Sequence, residues 1–464
     1  MKPQSLSQIA QLANGRLVQG QAAETVSRLS TDSRTLRPGD LFVALRGDNF
    51  DGHAFVEQAK ERSAVGAMVE ESWEGTMPAS FGLIRVQDTL TGYQTVATNY
   101  RKSLSLKVVV ITGSNGKTST KDFVAATLAR KFRVTKTEGN FNNHVGLPQT
   151  MLSANPTDEI GVWEIGMNQP GEIAALAELA QPDVAIITNI GVAHIEFMGS
   201  RDAIAREKGS LVEAVGKDGT VVLNADDPYT SGIASRTRAR VVLAGIENGS
   251  IRATDLRQSS SGCEFTILEG AHRCRAQLPV PGVHMVRNAM LAVATGRIFG
   301  LSLEECAAGL ASTPLTKARL QIKEIKGIQF IDDSYNANPD SMKAALRTLV
   351  ELDADGRRFA ILGQMSELGE ESERGHREVG ECAAELGVDL LVAVGPIGAG
   401  IVRAAEAAGL KRTFSVETPE KAAELIGTMV SPGDLILVKG SRSARMERVL
   451  EAFANGRSTA EIVP

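Results

Sequence analysis

The sequence predicts an α/β protein of three domains, a central parallel-sheet nucleotide-binding domain flanked by two others. Three observations carry this. Short β-branched runs alternate with amphipathic helical stretches along most of the 464 residues, the pattern of a parallel sheet covered by helices. One apolar run, VVVIT at 108–112, stops at a small glycine loop, then Lys-Thr, then a helix-like stretch. That is the local design of a phosphate cradle. Finally, the length accommodates two to four domains at about 100–200 residues each, and 43% apolar residues suffice for sizeable cores.

Composition removes several function classes. A net charge of −5 provides no global basic field, and aromatics at 4% provide no stacking platforms, so no nucleic-acid partner is expected. No apolar run approaches the roughly 20 residues that span a bilayer, so no membrane insertion is expected. The start, MKPQSLSQIAQLANGRLVQG, lacks the apolar core of a signal peptide. The four cysteines are scattered with no CxxC pair, which suits reduced thiols in a cytoplasmic protein. A monomer is expected.

Residues 1–102 form the first domain, with strand-like DLFVALRG, GAMVEE and FGLIRV and a helix-like stretch before the polar RKSLS. Residues 103–313 form the central domain, where KVVVIT, GVWEIG, DVAIITNI and GTVVLNAD alternate with helices. Its stretch 251–281 reads as antiparallel strands, and VHMVRNAMLAVATGRIFG as a helix. LASTPLTKARLQ looks like a linker into the third domain, 314–464. There FIDDSY, RFAILG, LLVAVG, TFSV and DLILVKG mark a second doubly wound sheet without a phosphate-cradle motif of its own. Ligands of such sheets bind beyond the carboxyl ends of the strands.

The chemistry-bearing residues lie at those ends. Gly113 and Gly116 allow a tight turn with backbone N–H groups facing inward. Lys117 supplies charge for the outer phosphates, and the Thr118 hydroxyl a ligand for magnesium. The general pattern has glycine at the place of Ile111, so the match is imperfect. Asn140, Asn142, Asn143 and His144 form a polar turn before a helix, a common use of asparagine. Glu164 ends a strand among apolar neighbours, where a carboxylate calls for a cation or donors. His194 follows another strand. Lys208, beside Glu207 in a helix, reads on its own as a solvated lysine. In the third domain Asp332 and Asp333 lead into Asn336, Asn338, Pro339 and Asp340, with Asp340 as the expected helix cap. Lys439, Ser441, Arg442 and Arg445 make a cationic, hydroxyl-bearing turn suited to anions. His376 sits in an acidic, glycine-punctuated loop.

Together these pieces resemble the Mur ligases of peptidoglycan synthesis. The loop Thr112–Thr118 is similar to their TGTxGKT/S motif, whose glycine spacing accounts for Ile111. The resemblance spans essentially the whole chain. It is strongest to the branch that adds D-alanyl-D-alanine to UDP-N-acetylmuramoyl-tripeptide, through TDSRTLRPGDLFVAL, TEGNFNNHVGLPQTML, WEIGMNQPGEI, TNIGVAHIEFMGS, DDSYNANPDSMKAAL, LGQMSELG and VKGSRSARME. The DNPR-like motif of the branch acting one step earlier is absent.

The resemblance implies ATP and Mg²⁺ as cofactors, and the two substrates just named as partners. Gly113, Ser114, Asn115, Gly116, Lys117, Thr118 and Ser119 would hold ATP, with Asn288, Arg319, Asn336 and Asn338. Thr118, Glu164, His194 and a carbamylated Lys208 would serve the metal, and Lys117, Lys208 and His194 the chemistry. Asp32, Ser33, Arg34, Phe42, Asp51, Gly52 and His53 would meet the nucleotide-tripeptide. Asn140, Asn142, Asn143, Lys439, Ser441 and Arg442 would also meet substrate. Two positions depart from the family pattern: Ala318 stands where it usually has glycine, and Met285 where many members have asparagine. The implied reaction runs through an acyl phosphate, and the third domain is expected to swing onto the central one when ATP binds. Rival readings are a folylpolyglutamate-synthase-like ligase and a GTP-dependent switch. The DSRTLRPGDLF segment counts against the first, and the absent NKxD motif against the second.

Overall fold

The computed structural model describes residues 1–47, 49–314 and 316–456. The chain divides into two compact units. The first comprises residues 1–110, 132–166 and 172–183. Its five-stranded sheet runs in the order Arg16–Gln19, Gly82–Val86, Gly66–Glu70, Asp40–Val43, Arg28–Ser30. All neighbours are parallel except the first pair. Phe42, Val56, Ala59, Val69 and Phe81 build an apolar core on this sheet. The helix Thr89–Lys102 is capped by Asp88, whose carboxylate accepts from Thr91 N at 2.6 Å, and buries Tyr93, Val96, Ala97 and Tyr100 at helical spacing. The strands Val134–Lys136 and Ile160–Glu164 pair in parallel in the same unit.

The second unit comprises residues 111–131, 167–171 and everything from 184 on. The strands Val184–Ile187, Thr220–Asn224 and Arg240–Gly245 are parallel. They lead to three strands, Ile251–Ser259, Gly262–Glu269 and His272–Leu278, paired antiparallel as the sequence predicts. Helix Val283–Ile298 is apolar almost all round and is buried.

A second sheet in this unit has the order Gln321–Ile325, Ile328–Asp333, Leu435–Lys439, Arg358–Gly363, Leu390–Val394, Thr413–Val416. Only the first pair is antiparallel. The last-made strand, Leu435–Lys439, thus inserts between two earlier ones. With right-handed crossovers, the helices following its neighbours leave on one face, where Pro339–Glu351 packs on Ser372–Glu385. The helices Pro419–Gly427 and Glu447–Asn455 pack together on the other. The result is a crevice at the carboxyl ends beside Leu435–Lys439, where such sheets bind ligands.

Two sequence expectations are corrected here. The cap of helix Pro339–Glu351 is Asn338, whose side chain accepts from Ser341 N at 2.9 Å, with Pro339 as first helical residue. Asp340 lies in the first turn and is freed for another contact. His376 is in no acidic loop. It is buried in helix Ser372–Glu385, with Nε2 accepting from Met365 N at 3.0 Å. No helix among the described residues is long and apolar enough to cross a membrane.

Candidate active site

The strand Lys107–Thr112 delivers the loop, and two glycines shape it. Gly113 has φ +152° and Gly116 φ +77°. A Cβ on Gly113 would stand 1.8 Å from Thr188 Oγ1, and one on Gly116 2.5 Å from Asn288 Nδ2. The loop is therefore wedged between Thr188 and Asn288, and only glycine fits at both points. Asn189 clamps the peptide groups of Asn115. Its Oδ1 accepts from Asn115 N and its Nδ2 donates to Asn115 O, each at 3.0 Å, while Thr188 Oγ1 donates to the same carbonyl at 2.5 Å. Gly116 opens the helix Lys117–Leu128, so its first-turn N–H groups and the positive dipole end face the loop. Lys117 Nζ donates to Gly113 O at 2.8 Å.

Residues far along the chain meet this loop. Arg319 Nη2 donates to Thr118 Oγ1 at 3.1 Å, and its guanidinium stacks over Tyr335, 4.4 Å from the ring centroid. Arg319 Nε is buried without a partner among the described residues, a donor placed for an anion. Asn338 Nδ2 donates to Asn115 Oδ1 at 2.7 Å, and Asp340 Oδ2 accepts from Val192 N at 3.2 Å. Asn336 accepts locally from Ala337 N at 2.9 Å. A small cleft lies beside the loop helix, lined by Ser119, Phe123, Val280, Met285, Pro314 and Arg319 among others.

Lys208 is fully buried, and its Nζ has no hydrogen-bond partner among the described residues. The solvated-lysine reading is thereby overturned. Burial first, then the charge of Lys117, pushes its ammonium well below the ordinary lysine range. The signal was legible, because Ile204, Lys208 and Leu211 share one helical face with buried neighbours on either side. His194 opens the short helix Ile195–Met198 in a left-handed conformation. Its Nδ1 lies 2.6 Å from Glu367 Oε2. The adjoining His194 imidazole holds the Glu367 carboxyl below its usual range.

The crevice of the second sheet holds a hydroxyl cluster. Ser441 Oγ lies 3.1 Å from Ser366 Oγ and 3.0 Å from Ser443 Oγ, and donates to Gln364 O at 2.8 Å. Arg442 is exposed and pairs with Glu447 at 2.9 Å. Lys439 is buried and pairs with Asp333 Oδ2 at 2.6 Å and Asn336 O at 2.9 Å.

The other sequence-derived residues belong to the first unit. Asp32 caps the turn Ser33–Thr35, and Arg34 holds its carboxyl down at about 2. Ser33 Oγ donates to Gln58 Oε1 at 2.7 Å, while the Arg34 side chain is largely exposed. Phe42 is in the apolar core. Asp51 Oδ1 lies 2.6 Å from His53 Nδ1, and His53 Nε2 accepts from Glu70 N at 3.0 Å. Gly52 is packed so that a Cβ would lie 2.5 Å from Leu45 O. Asn140 accepts from Asn142 N through its carbonyl, and Asn143 Oδ1 accepts from Gly146 N. Asn142 Nδ2 donates to the buried Glu164 Oε1 at 2.8 Å. Among the described residues no three His, Cys, Asp or Glu groups stand close enough to hold a metal ion by themselves.

Sequence reasoning missed Thr188, Asn189, Ser366, Ser443 and Glu367. The Thr-Asn pair directly after a β-run was a readable cue for the first two. Glu367 had none, since its partner comes from a remote loop.

Three family models match along the chain: Mur ligase family catalytic domain at residues 25–74, Mur ligase middle domain at 111–296, and Mur ligase glutamate ligase domain at 318–442. The UDP-N-acetylmuramoyl-tripeptide–D-alanyl-D-alanine ligase of Bacillus subtilis (strain 168) is 38% identical over 97% of this chain and 98% of its own. A crystal structure of MurF from Acinetobacter baumannii superposes with a TM-score of 0.90 at 32% identity, covering 98% of this chain and 100% of that one. MurF ligase from Thermotoga maritima in complex with ADP gives 0.83 at 30% identity, over 92% and 97%. Loop, sheets and sequence thus agree from end to end, and the chain belongs to the Mur ligase family.

Proposed function

We propose that the protein uses ATP to join D-alanyl-D-alanine to UDP-N-acetylmuramoyl-tripeptide, giving the pentapeptide nucleotide for peptidoglycan synthesis. The observation that carries this reading is the phosphate loop met by Arg319 and Asn338, in a chain aligned over nearly its full length with ligases of that name.

The loop's backbone N–H groups, Lys117 and the unpaired Arg319 Nε receive the ATP phosphates. The tripeptide carboxylate attacks the γ-phosphorus, and ADP leaves. The dipeptide amine then attacks the acyl carbon, and phosphate leaves. The residues position the reactants and balance charge. Magnesium, when bound, neutralises phosphoryl charge, and Thr118, His194 and Lys208 would hold it. Lys208 suits a carbamate because only a neutral amine adds carbon dioxide, and its surroundings disfavour the ammonium. The carbamate would then supply an oxygen donor of the kind magnesium prefers. The hydroxyls of Ser366, Ser441 and Ser443 with Arg442 suit the carboxylate of the incoming dipeptide. Acyl phosphates hydrolyse readily, so the domain 314–464 would close over the domain 103–313 during turnover.

The test is an assay of the purified protein with ATP, D-alanyl-D-alanine and the nucleotide tripeptide in its lysine and diaminopimelate forms. Pentapeptide and ADP in equal amounts are expected from at least one form. ATP hydrolysis independent of any acceptor would sink the reading. Small-angle scattering should show a more compact particle with an ATP analogue.

A further inference from the structure

Helix Pro339–Glu351 belongs by its packing to the second sheet. Its Met342, Ala345, Leu346 and Leu349 are buried, and it lies on helix Ser372–Glu385 and strands Arg358–Gly363 and Leu435–Lys439. Its two ends reach elsewhere. At its start the cap Asn338 donates to Asn115 Oδ1 of the phosphate loop, and Asp340 accepts from Val192 N. At its end Glu351 Oε2 accepts from Gln258 Nε2 at 2.5 Å. Gln258 stands in the antiparallel strand Ile251–Ser259. The helix has 13 residues, which at about 1.5 Å each put the two anchor points about 20 Å apart.

The Gln258 amide is used on both sides. Its Oε1 accepts from Gly282 N at 3.1 Å, and Gly282 opens helix Val283–Ile298, which sets Asn288 against Gly116. A backbone N–H only donates and a carboxylate only accepts, so the amide fits in one orientation. Glu351 is exposed and Gln258 half-buried, so neither belongs to an apolar core. Glu351 is also the last residue of its helix, where the dipole disfavours a carboxylate. We propose that Gln258 and Glu351 are positioning residues whose contact holds the far end of helix Pro339–Glu351 and so keeps Asn338 and Asp340 seated at the phosphate loop, a role that rests on the reading of Thr112–Thr118 as the ATP site. The helix is capped and packed along its length, so a displacement at Glu351 is carried to Asn338. Losing the far anchor lowers the population of the seated arrangement, and the apparent affinity for ATP falls by the same factor.

The test is a swap of the two side chains, read by calorimetric binding of the β,γ-imido analogue of ATP, with magnesium, to the full chain. Gln258→Glu keeps an acceptor for Gly282 N but sets a second carboxylate against Glu351. It should weaken binding about 5- to 20-fold, with the unfolding midpoint within about 2 °C of native. Glu351→Gln can still accept from Gln258 and should stay within about threefold of native. The double variant Gln258→Glu with Glu351→Gln restores one donor between two acceptors, and its affinity should return to within about threefold of native. In the complete assay Gln258→Glu should raise the KM for ATP while kcat at saturating ATP changes less than about threefold. Should Gln258→Glu not fold, Glu351→Lys, which sets two donors against each other, takes its place. An affinity unchanged in Gln258→Glu overturns the proposal, as does a double variant no tighter than Gln258→Glu alone. A native protein that binds no analogue fails at the earlier step, and overturns the ATP-site reading together with the positioning role.

Discussion

Lys117 and Lys439 both follow or end a parallel strand, and the chain holds them in opposite ways. Lys117 lies over the phosphate loop and donates to Gly113 O, with Arg319 reaching Thr118 beside it. Lys439 is buried at 3% exposure, locked between Asp333 and the Asn336 carbonyl. The difference teaches that a strand-end lysine is not a ligand group by position alone. What decides is what the ammonium is held against: at the cradle the Gly113 carbonyl of the loop, in the other case a carboxylate already paired with it. In the second case the cation shapes the loop, here the turn that carries Asn336 and Asn338.

The largest effect should come from Lys117→Ala. Removing a charge aimed at the phosphoryl group is expected to lower ligase turnover by about 10³-fold or more, with the unfolding midpoint within about 2 °C of native. A variant that keeps its turnover would move the phosphates away from this loop. Lys439→Ala should do the reverse. Breaking one side of a buried pair costs about 3–5 kcal/mol, read as a lower midpoint in urea unfolding. If stability holds while the KM for D-alanyl-D-alanine rises, Lys439 is a substrate group after all and the comparison breaks.

The fold was legible because its signals are local. Alternating runs such as RFAILG and LLVAVG became parallel strands, and the stretch after Ile251 became antiparallel ones. The phosphate loop was legible through glycine spacing. What escaped was set by tertiary contact. The Glu367 contact depends on two loops brought together by folding, whereas the burial of Lys208 was readable from Ile204 and Leu211 on its own helix face. The cap at Asn338 was a different miss. Proline at 339 marks the first helical position and so places the cap one residue earlier, a local rule that the acidic residue at 340 obscured.

Lys439 also acts on His284, and this gives a third test. Burial first, then Lys439 and Arg287, lowers the His284 pKa to about 4 from an ordinary 6.5. The folded chain keeps this imidazole neutral while the unfolded chain protonates it, so the stability is fully present above pH 6.5 and is lost as pH falls toward 4. The loss amounts to about 3 kcal/mol at most. Urea unfolding across this range should show His284→Gln losing less stability than the native protein. Lys439→Met, with one cation removed, should fall between them. Identical slopes in native and His284→Gln proteins would place the titration elsewhere.

The smallest effect concerns the other side of the cradle, where alanine takes a conformation that favours glycine. Gly113 and Gly116 need their identity for space, since a Cβ would collide with Thr188 or Asn288. Ala318 occupies a left-handed conformation, φ +58°, just before Arg319. Its strain of about 1 kcal/mol is partly offset because alanine narrows the unfolded ensemble. Ala318→Gly should therefore stabilise the protein by about 0.5 kcal/mol while leaving the KM for ATP within about twofold. Gly116→Ala, by contrast, should raise that KM strongly, because the loop itself must move. A destabilised Ala318→Gly would show that the fixed linker before Arg319 outweighs its strain, and that the alanine serves to hold the arginine against Tyr335.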